Sequence, residues 1–235
     1  MTVKAWLEGH QFDLDHLAQL FPTGDIRVMR DGDRYYLTSP QIDNPPAGTK
    51  NYEVAQRLIA HVNGYGSLTH SNFRPVSLTK IYDDEAGITV VPAAAHLELR
   101  GALFAAVGVV ADPSGKVEPA PPPPDQARFA LAASNTDVAE VFEIMSHVPL
   151  KWLDLRKIHE IICRSIEPTT IVKLGWTTGN RDSTFTSSAS NPAINGSDAL
   201  HARPPKGNQP KRKMSISEGR QYVRELVTKW LDYLR

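Results

Sequence analysis

A basic stretch near the C-terminal end is the part of the sequence best suited to binding chemistry. The eleven residues from 203 to 213 contain five cations and no acid. These cations are Arg203, Lys206, Lys211, Arg212 and Lys213. Such a patch can neutralise the phosphates of RNA or DNA, with an affinity that falls steeply with salt. Because the stretch has no aromatic residue on which a base could stack, a nucleic-acid interface and a solvated basic loop both stay open.

Histidines are the other source of chemistry in this sequence. His96 and Glu98 are two residues apart on a predicted strand, so they share a face and could both touch a metal ion. No third ligand accompanies them, and we predict no metal site. His159 lies on the apolar stripe of a predicted helix, with Arg156 one turn before it and Cys163 one turn after it. We interpret His159 as a partly buried histidine paired locally, and Cys163 as a cysteine that fills the core.

The composition is that of an ordinary globular protein, with 41% hydrophobic and 22% charged residues. Residues 1–112 carry 9 Lys+Arg against 13 Asp+Glu, whereas residues 113–235 carry 17 against 13. The acidic first half and the basic second half could attract each other. The chain lacks a glycine-rich phosphate loop, a nucleophile elbow and a His-Glu-x-x-His zinc helix. We therefore predict no cofactor, and we lean away from an enzyme.

Nothing in the sequence predicts export or insertion into a membrane. The N-terminus lacks the apolar core of a signal peptide, and no run reaches the ~18 apolar residues that a membrane helix needs. The only cysteine, Cys163, excludes an internal disulfide. We therefore expect a cytoplasmic protein that makes no contact with a membrane.

Residues 1–112 are predicted to form a β-rich α+β domain, with an antiparallel sheet and helices on one side of it. Asp31-Gly32-Asp33 separates two β-favouring runs, which predicts a hairpin because glycine accepts the positive φ of a tight turn. A second hairpin is predicted around residues 83–87. Strict alternation of apolar and polar residues predicts a further strand at residues 96–100.

The positioning helices are predicted from apolar spacing and from end signals. The main helix of the first half covers residues 52–63, and Gly64 is expected to end it. The clearest helix is the last one, because Ser215 and Glu218 fit a capping box that precedes a long apolar stripe.

The second half is predicted to be an all-helical bundle that follows a linker. Residues 113–125 include four consecutive prolines, which favour an extended, semi-rigid spacer. Residues 126–235 then form the helical domain, in which residues 169–214 are predicted to be one long polar loop. Ordinary loops have about 4–6 residues, so a loop of this length is where we expect function.

The helical half resembles a family of uncharacterised bacterial proteins. The similarity covers roughly residues 130–235 and rests on the run from Trp152 to Glu160 and on a pattern that begins at Phe185. The pattern continues with Ala189 to Asn191, His201, Pro204-Pro205, Met214 and Trp230-Leu231. This arrangement is also similar to that of HEPN-like helical domains, some of which are ribonucleases with an arginine and a histidine in the site.

The HEPN-like resemblance implies a site at Asn195, His201 and Arg203, where the imidazole transfers a proton and the cation stabilises charge on the phosphate. His201-Ala202-Arg203 reverses the order of the family's pair, so these three residues remain candidates. Two functions stay open. One is a non-catalytic binding, sensing or protein-interaction module with a protein partner or a homodimer through the C-terminal helices. The other, which we favour less, is a HEPN-like ribonuclease or RNA-binding factor of a defence or toxin system.

Overall fold

The computed structural model describes residues 2–84, 87–90, 124–191 and 213–235 and confirms the α+β class. The strands are β1 (Lys4–Glu8), β2 (Arg27–Asp31), β3 (Arg34–Thr38), β4 (Ser77–Asp84) and β5 (Gly87–Val90). The helices are α1 (Gln11–Leu20), α2 (Pro40–Asp43), α3 (Asn51–Thr69), α4 (Pro124–Ala130), α5 (Thr136–Met145), α6 (Trp152–Ser165), α7 (Gly179–Ser190) and α8 (Ile216–Tyr233), with a 3₁₀ turn at Leu131–Ala133.

The chain divides into two compact units. One unit, called the sheet unit below, comprises Met1–Ile59 and Arg74–Ala127. The other, called the helical unit, comprises Ala60–Phe73 and Arg128–Arg235. The last part of α3 therefore belongs with the C-terminal helices. The predicted strand at residues 96–100 and most of the predicted linker lie outside the described residues.

The sheet unit contains a five-stranded antiparallel sheet with the order β2-β3-β1-β4-β5. Helix α1 connects β1 to β2, and α2 and α3 lie between β3 and β4. This β-α-β-β-α-β order, with β3 between β1 and β2, is that of a split β-α-β unit. Both predicted hairpins are present, β2–β3 and β4–β5. In the first, Gly32 has a φ of 60° and begins the two-residue turn.

The two faces of the sheet differ because successive side chains of a strand point in opposite directions. The Tyr35 hydroxyl donates a hydrogen bond to the Asp15 carboxylate on α1, so the Tyr35 face is the one that carries α1. Its neighbour Tyr36 lies on the opposite face, where its ring contacts Trp6 at 5.4 Å between centroids. The guanidinium of Arg34 lies 3.9 Å from the centre of the Trp6 ring. This second face is therefore aromatic and cationic.

Three aromatic rings form one part of the core of the helical unit. Phe129 stacks on Phe142 at 5.7 Å, and Tyr65 meets both rings edge-on at 5.6 and 5.4 Å. Aromatic pairs favour such offset and edge-to-face arrangements. All three rings are buried. They join the end of α3 to α4 and α5 within this unit.

Helices α6 and α8 form the other part of this core, and they approach each other closely. At Gly219 an added Cβ would lie 2.9 Å from the Trp152 ring, so only glycine fits there without a shift. Helix α8 begins with the predicted capping box, in which Ser215 and Glu218 bond each other's backbone amides at 3.2 and 2.8 Å. Its predicted stripe has six residues, of which Leu234 is partly exposed and five are buried: Val223, Leu226, Val227, Trp230 and Leu231.

The segment 169–214, predicted to be a polar loop, contains helix α7. Few apolar residues mark this helix, because only Phe185 and Ala189 supply its buried apolar surface. Two of its hydroxyl groups are satisfied within the helix: Thr184 Oγ1 donates to the backbone carbonyl of Asn180 at 2.8 Å, and Thr186 Oγ1 donates to the backbone carbonyl of Asp182 at 3.1 Å. The helix is stabilised by tertiary packing rather than by its intrinsic helix propensity. The spacing of apolar residues in the sequence does not reveal such packing.

Helix α3 does not end at Gly64, as the sequence predicted, but continues to Thr69. An added Cβ at this glycine would lie 1.8 Å from the Phe142 carbonyl oxygen on α5. The glycine therefore serves a close approach of two backbones and not a turn. Among the helices in the described ranges, none combines the length and the apolarity that a membrane crossing requires.

We predict that Gly64→Ala destabilises the protein by at least about 1–3 kcal/mol, because α3 and α5 would have to move apart. The matched control is Gly179→Ala in the first turn of α7, where an added Cβ meets nothing within 4 Å. That substitution should leave the unfolding free energy unchanged or raise it slightly. Urea unfolding followed by circular dichroism measures both effects. Equal stability of the Gly64→Ala variant and the parent chain would contradict the prediction.

Candidate functional site

Most of the residues predicted to carry function lie outside the described residues. This applies to Asn195, His201, Arg203, Lys206, Lys211 and Arg212, and also to His96 and Glu98 of the metal hypothesis. Lys213 is described and is exposed to solvent, two residues before the N-cap of α8. In the described ranges, no group of three or more His, Cys, Asp or Glu side chains could hold a metal ion.

Asn191 and Met214, the residues that flank residues 192–213, meet at one place in the helical unit. The backbone amide of Met214 donates a hydrogen bond of 2.9 Å to the Ser188 hydroxyl on α7. Both residues are buried, and so is Asn191, three residues after Ser188. A buried backbone amide that finds a side-chain acceptor avoids a desolvation cost of about 1–3 kcal/mol. The residues that precede and follow residues 192–213 therefore lie beside the same serine.

A polar cluster in the interior of the helical unit is the main finding that the sequence did not predict. His159 on α6 places its Nε2 atom 2.7 Å from Oδ1 of Asp182 on α7. The hydroxyl of Tyr222 on α8 donates to the same oxygen at 2.8 Å. One carboxylate thus joins three helices. We call His159, Asp182 and Tyr222 the interior triad.

Each helix delivers its member of the interior triad for a local reason. His159 lies among the buried residues of α6, between Leu155 and Ile162 on the apolar stripe. Asp182 lies in the first turn of α7, just after the Thr178 N-cap, where the helix dipole favours a negative charge. Tyr222 lies on the buried stripe of α8. The triad therefore follows from three amphipathic patterns that meet.

Aromatic packing and an ion pair enclose the interior triad. The Phe185 ring lies 5.2 Å from His159 and 4.8 Å from Tyr222, centre to centre. On the other side, the Arg181 guanidinium lies 5.0 Å from the centre of the Tyr222 ring and forms a 2.6 Å ion pair with Glu225. Solvent access to the imidazole is correspondingly small, since only 5% of His159 is exposed, whereas the Asp182 side chain is 25% exposed.

The electrostatics of the triad favour a charged pair. Burial opposes protonation of His159, but the bond to Asp182 and the nearby Cys163 sulfur outweigh it and raise the histidine pKa to about 9. Burial likewise opposes ionisation of Asp182, and the hydrogen bonds from His159 and Tyr222 outweigh it and lower the pKa of that carboxyl. Burial, together with the bond to Asp182, raises the pKa of the Tyr222 phenol. At neutral pH the triad therefore holds an imidazolium, a carboxylate and a neutral phenol.

The predicted neighbours of His159 on its own helix are present but are secondary. Arg156 Nη1 lies 3.5 Å from Nδ1, and this guanidinium also pairs with Glu160 at 3.1 Å. The half-buried sulfur of Cys163 lies 3.9 Å from Nδ1 and 3.8 Å from Nε2. Because these two distances are nearly equal, the sulfur lies in line with neither ring N–H. This geometry does not suit proton transfer between the thiol and the imidazole.

The stronger partners of His159, Asp182 and Tyr222, were missed because they lie in distant parts of the sequence. A local signal for the Asp182 helix exists: Thr178 precedes the acid by four residues, and Phe185 and Ala189 follow at helical spacing. Nothing in the sequence alone shows that this helix packs on α6. The arrangement can hold three helices together, and it engages Nε2 of the imidazole with Asp182.

We predict that the unfolding free energy falls by about 2–3 kcal/mol between pH 7 and pH 10 through His159 alone. The folded pKa of about 9 exceeds the unfolded value of 6.5, so this stabilisation is complete below about pH 6.5 and disappears as the pH rises through 9. The His159→Gln variant removes the titrating group, so its stability should depend less on pH over the same interval. Parallel pH profiles for the two chains would contradict the assignment.

The comparisons with known proteins return no relative. No family model matches the sequence, and neither a curated protein nor a solved structure does.

Proposed function

We propose that this chain is a non-catalytic binding module. The observation that supports the proposal is that the histidine of the interior triad is engaged inside the protein. His159 is 5% exposed, and its Nε2 contacts Asp182 at 2.7 Å. A general acid or base must reach the proton of a bound substrate within hydrogen-bond distance, directly or through one water. His159 instead forms a structural pair, so the most polar site in the described part of the helical unit serves stability.

A binding module also accounts for the surface near the start of α6. Leu153 is 50% exposed and Val148 is 39% exposed, five residues apart in sequence. Exposed large apolar side chains on one short stretch favour a protein contact when they form a patch. The proposed partner is another protein or a second copy of this chain that binds through the C-terminal helices. A monomeric mass in solution at high concentration would remove the homodimer.

We predict that the parent chain and the His201→Ala variant both leave RNA uncleaved. The test incubates labelled single- and double-stranded RNA with the parent chain and the variant, at low and at moderate salt, and follows cleavage on a gel. A non-catalytic module gives no cleavage above background with either chain. Cleavage by the parent chain that disappears in the His201→Ala variant would overturn the proposal and support the HEPN-like ribonuclease.

The second candidate function is an RNA-binding factor with a HEPN-like helical half, in a defence or toxin system. The specific observation that favours it is that Asn191 and Met214, which flank residues 192–213, both contact Ser188, the latter through a bond of 2.9 Å. Residues 192–213, between these two flanks, contain five cations. Cations held near one another bind a polyanion with less loss of chain entropy than dispersed cations do.

We predict that Lys211→Gln/Arg212→Gln weakens RNA binding and flattens its salt dependence. For single strands the slope of log K against log salt should fall by about 1.4 when two phosphate contacts are lost. Lys157→Gln/Arg164→Gln, which removes two exposed cations from α6, is the matched control and should change neither quantity. Equal losses of RNA affinity in the two double variants would show that only net charge matters. The basic stretch at residues 203–213 would then have no special role.

A further inference from the structure

A second aromatic surface lies at the end of α8, away from the interior triad. The rings of Trp176 and Tyr233 meet edge to face, with centroids 5.5 Å apart and planes at 74°. Tyr233 is 52% exposed and Trp176 is partly exposed. Val172, in the same turn as Trp176, is 42% exposed. We call Val172, Trp176 and Tyr233 the aromatic surface.

The turn that carries Trp176 is held in place by several contacts. The Trp176 amide donates to the Ile171 carbonyl at 2.9 Å, and Ile171 is buried. Gly175 has a φ of 70°, which closes the turn just before the tryptophan. The Trp176 carbonyl accepts a bond of 2.7 Å from Lys229 Nζ on α8. The ring is therefore presented by a fixed backbone, which lowers the entropy lost on binding.

The charges beside the aromatic surface are mainly positive. Lys173 follows Val172 in the turn, and Lys229 lies one helical turn before Tyr233; both are exposed. The adjacent carboxylate, Asp232, is already neutralised by Arg128 through bonds of 2.8 and 3.0 Å. Two lysines thus remain in excess beside the rings, and this charge is complementary to an anionic ligand.

We propose that the aromatic surface binds single-stranded nucleic acid, with an unpaired base on the exposed ring of Tyr233 and phosphates at Lys173 and Lys229. This inference rests on the RNA-binding candidate above and supplies the stacking residues that the basic segment lacks. Rings beside cations are the usual basis of single-strand recognition, since every base has a π-face and every nucleotide a charge. Bases within a duplex are already stacked, so the surface discriminates against double strands.

Substitution of the exposed ring is the direct test. The probes are a labelled oligouridine, an oligothymidine of the same length and a duplex RNA of the same length. Tyr233→Leu should weaken binding of the single strands about five- to a hundredfold and leave the duplex unchanged. Tyr233→Phe keeps the ring and should retain binding within about twofold. Equal losses for oligouridine and oligothymidine point to stacking alone, and a larger loss for oligouridine than for oligothymidine adds a contact with the ribose hydroxyl. A loss confined to oligouridine would contradict stacking.

Intrinsic fluorescence gives a second readout that is independent of affinity. Of the four tryptophans, Trp6, Trp152 and Trp230 are buried and Trp176 is partly exposed. The oligouridine should therefore quench the fluorescence of the parent chain, and Trp176→Phe should abolish that quenching. Single-strand affinity that survives Tyr233→Leu, or binding without quenching, would overturn the proposal. If Lys211→Gln/Arg212→Gln alone weakens binding, the RNA-binding candidate stands and this surface has no part in it. Absence of binding to all three probes would remove both.

Discussion

The helical unit depends on one charged contact in its interior, the bond between the imidazole of His159 and the carboxylate of Asp182. Transfer of either group from water to the interior costs several kcal/mol, and the cost is met only when the two groups have good mutual geometry and further hydrogen bonds. Tyr222 supplies such a bond to Asp182. Helices α6 and α7 therefore depend on each other, because the loss of either residue of the pair leaves the other charge without its partner.

This arrangement explains why helix α7 exists at all. Its sequence is rich in serine and threonine, and it would form little helix in isolation. Phe185 packs against the imidazole, and Asp182 provides the counter-charge, so the helix is held by the two partners that it joins. The same helix supplies Ser188, to which the chain returns after the basic segment. The carboxylate of the ion pair and the hydroxyl that binds the Met214 amide thus belong to one short helix.

Local signals in the sequence predicted much of the fold, and they failed where long-range packing decides. The Asp31-Gly32-Asp33 hairpin and the Ser215–Glu218 capping box were confirmed, since each depends on neighbours within a few residues. Gly64 was misread because glycine has two uses, as a turn residue and as a site of close approach, and only the position of Phe142 distinguishes them. His159 was predicted to be partly buried. Its partner Asp182 lies 23 residues further along the chain, and Tyr222 lies 40 residues beyond Asp182, so no helical periodicity connects the three residues.

The glycine in α8 that faces Trp152 also fixes which residues of the two helices stand opposite each other. If α8 slid along α6 by one turn, about 5.4 Å, Ser215 or Val223 would replace Gly219 at the indole. Either side chain would collide with a ring that already approaches within 2.9 Å of where a Cβ would be. Helices α6 and α8 can therefore pack together in only one register. Because Tyr222 lies three residues after Gly219, the same constraint directs its hydroxyl toward Asp182.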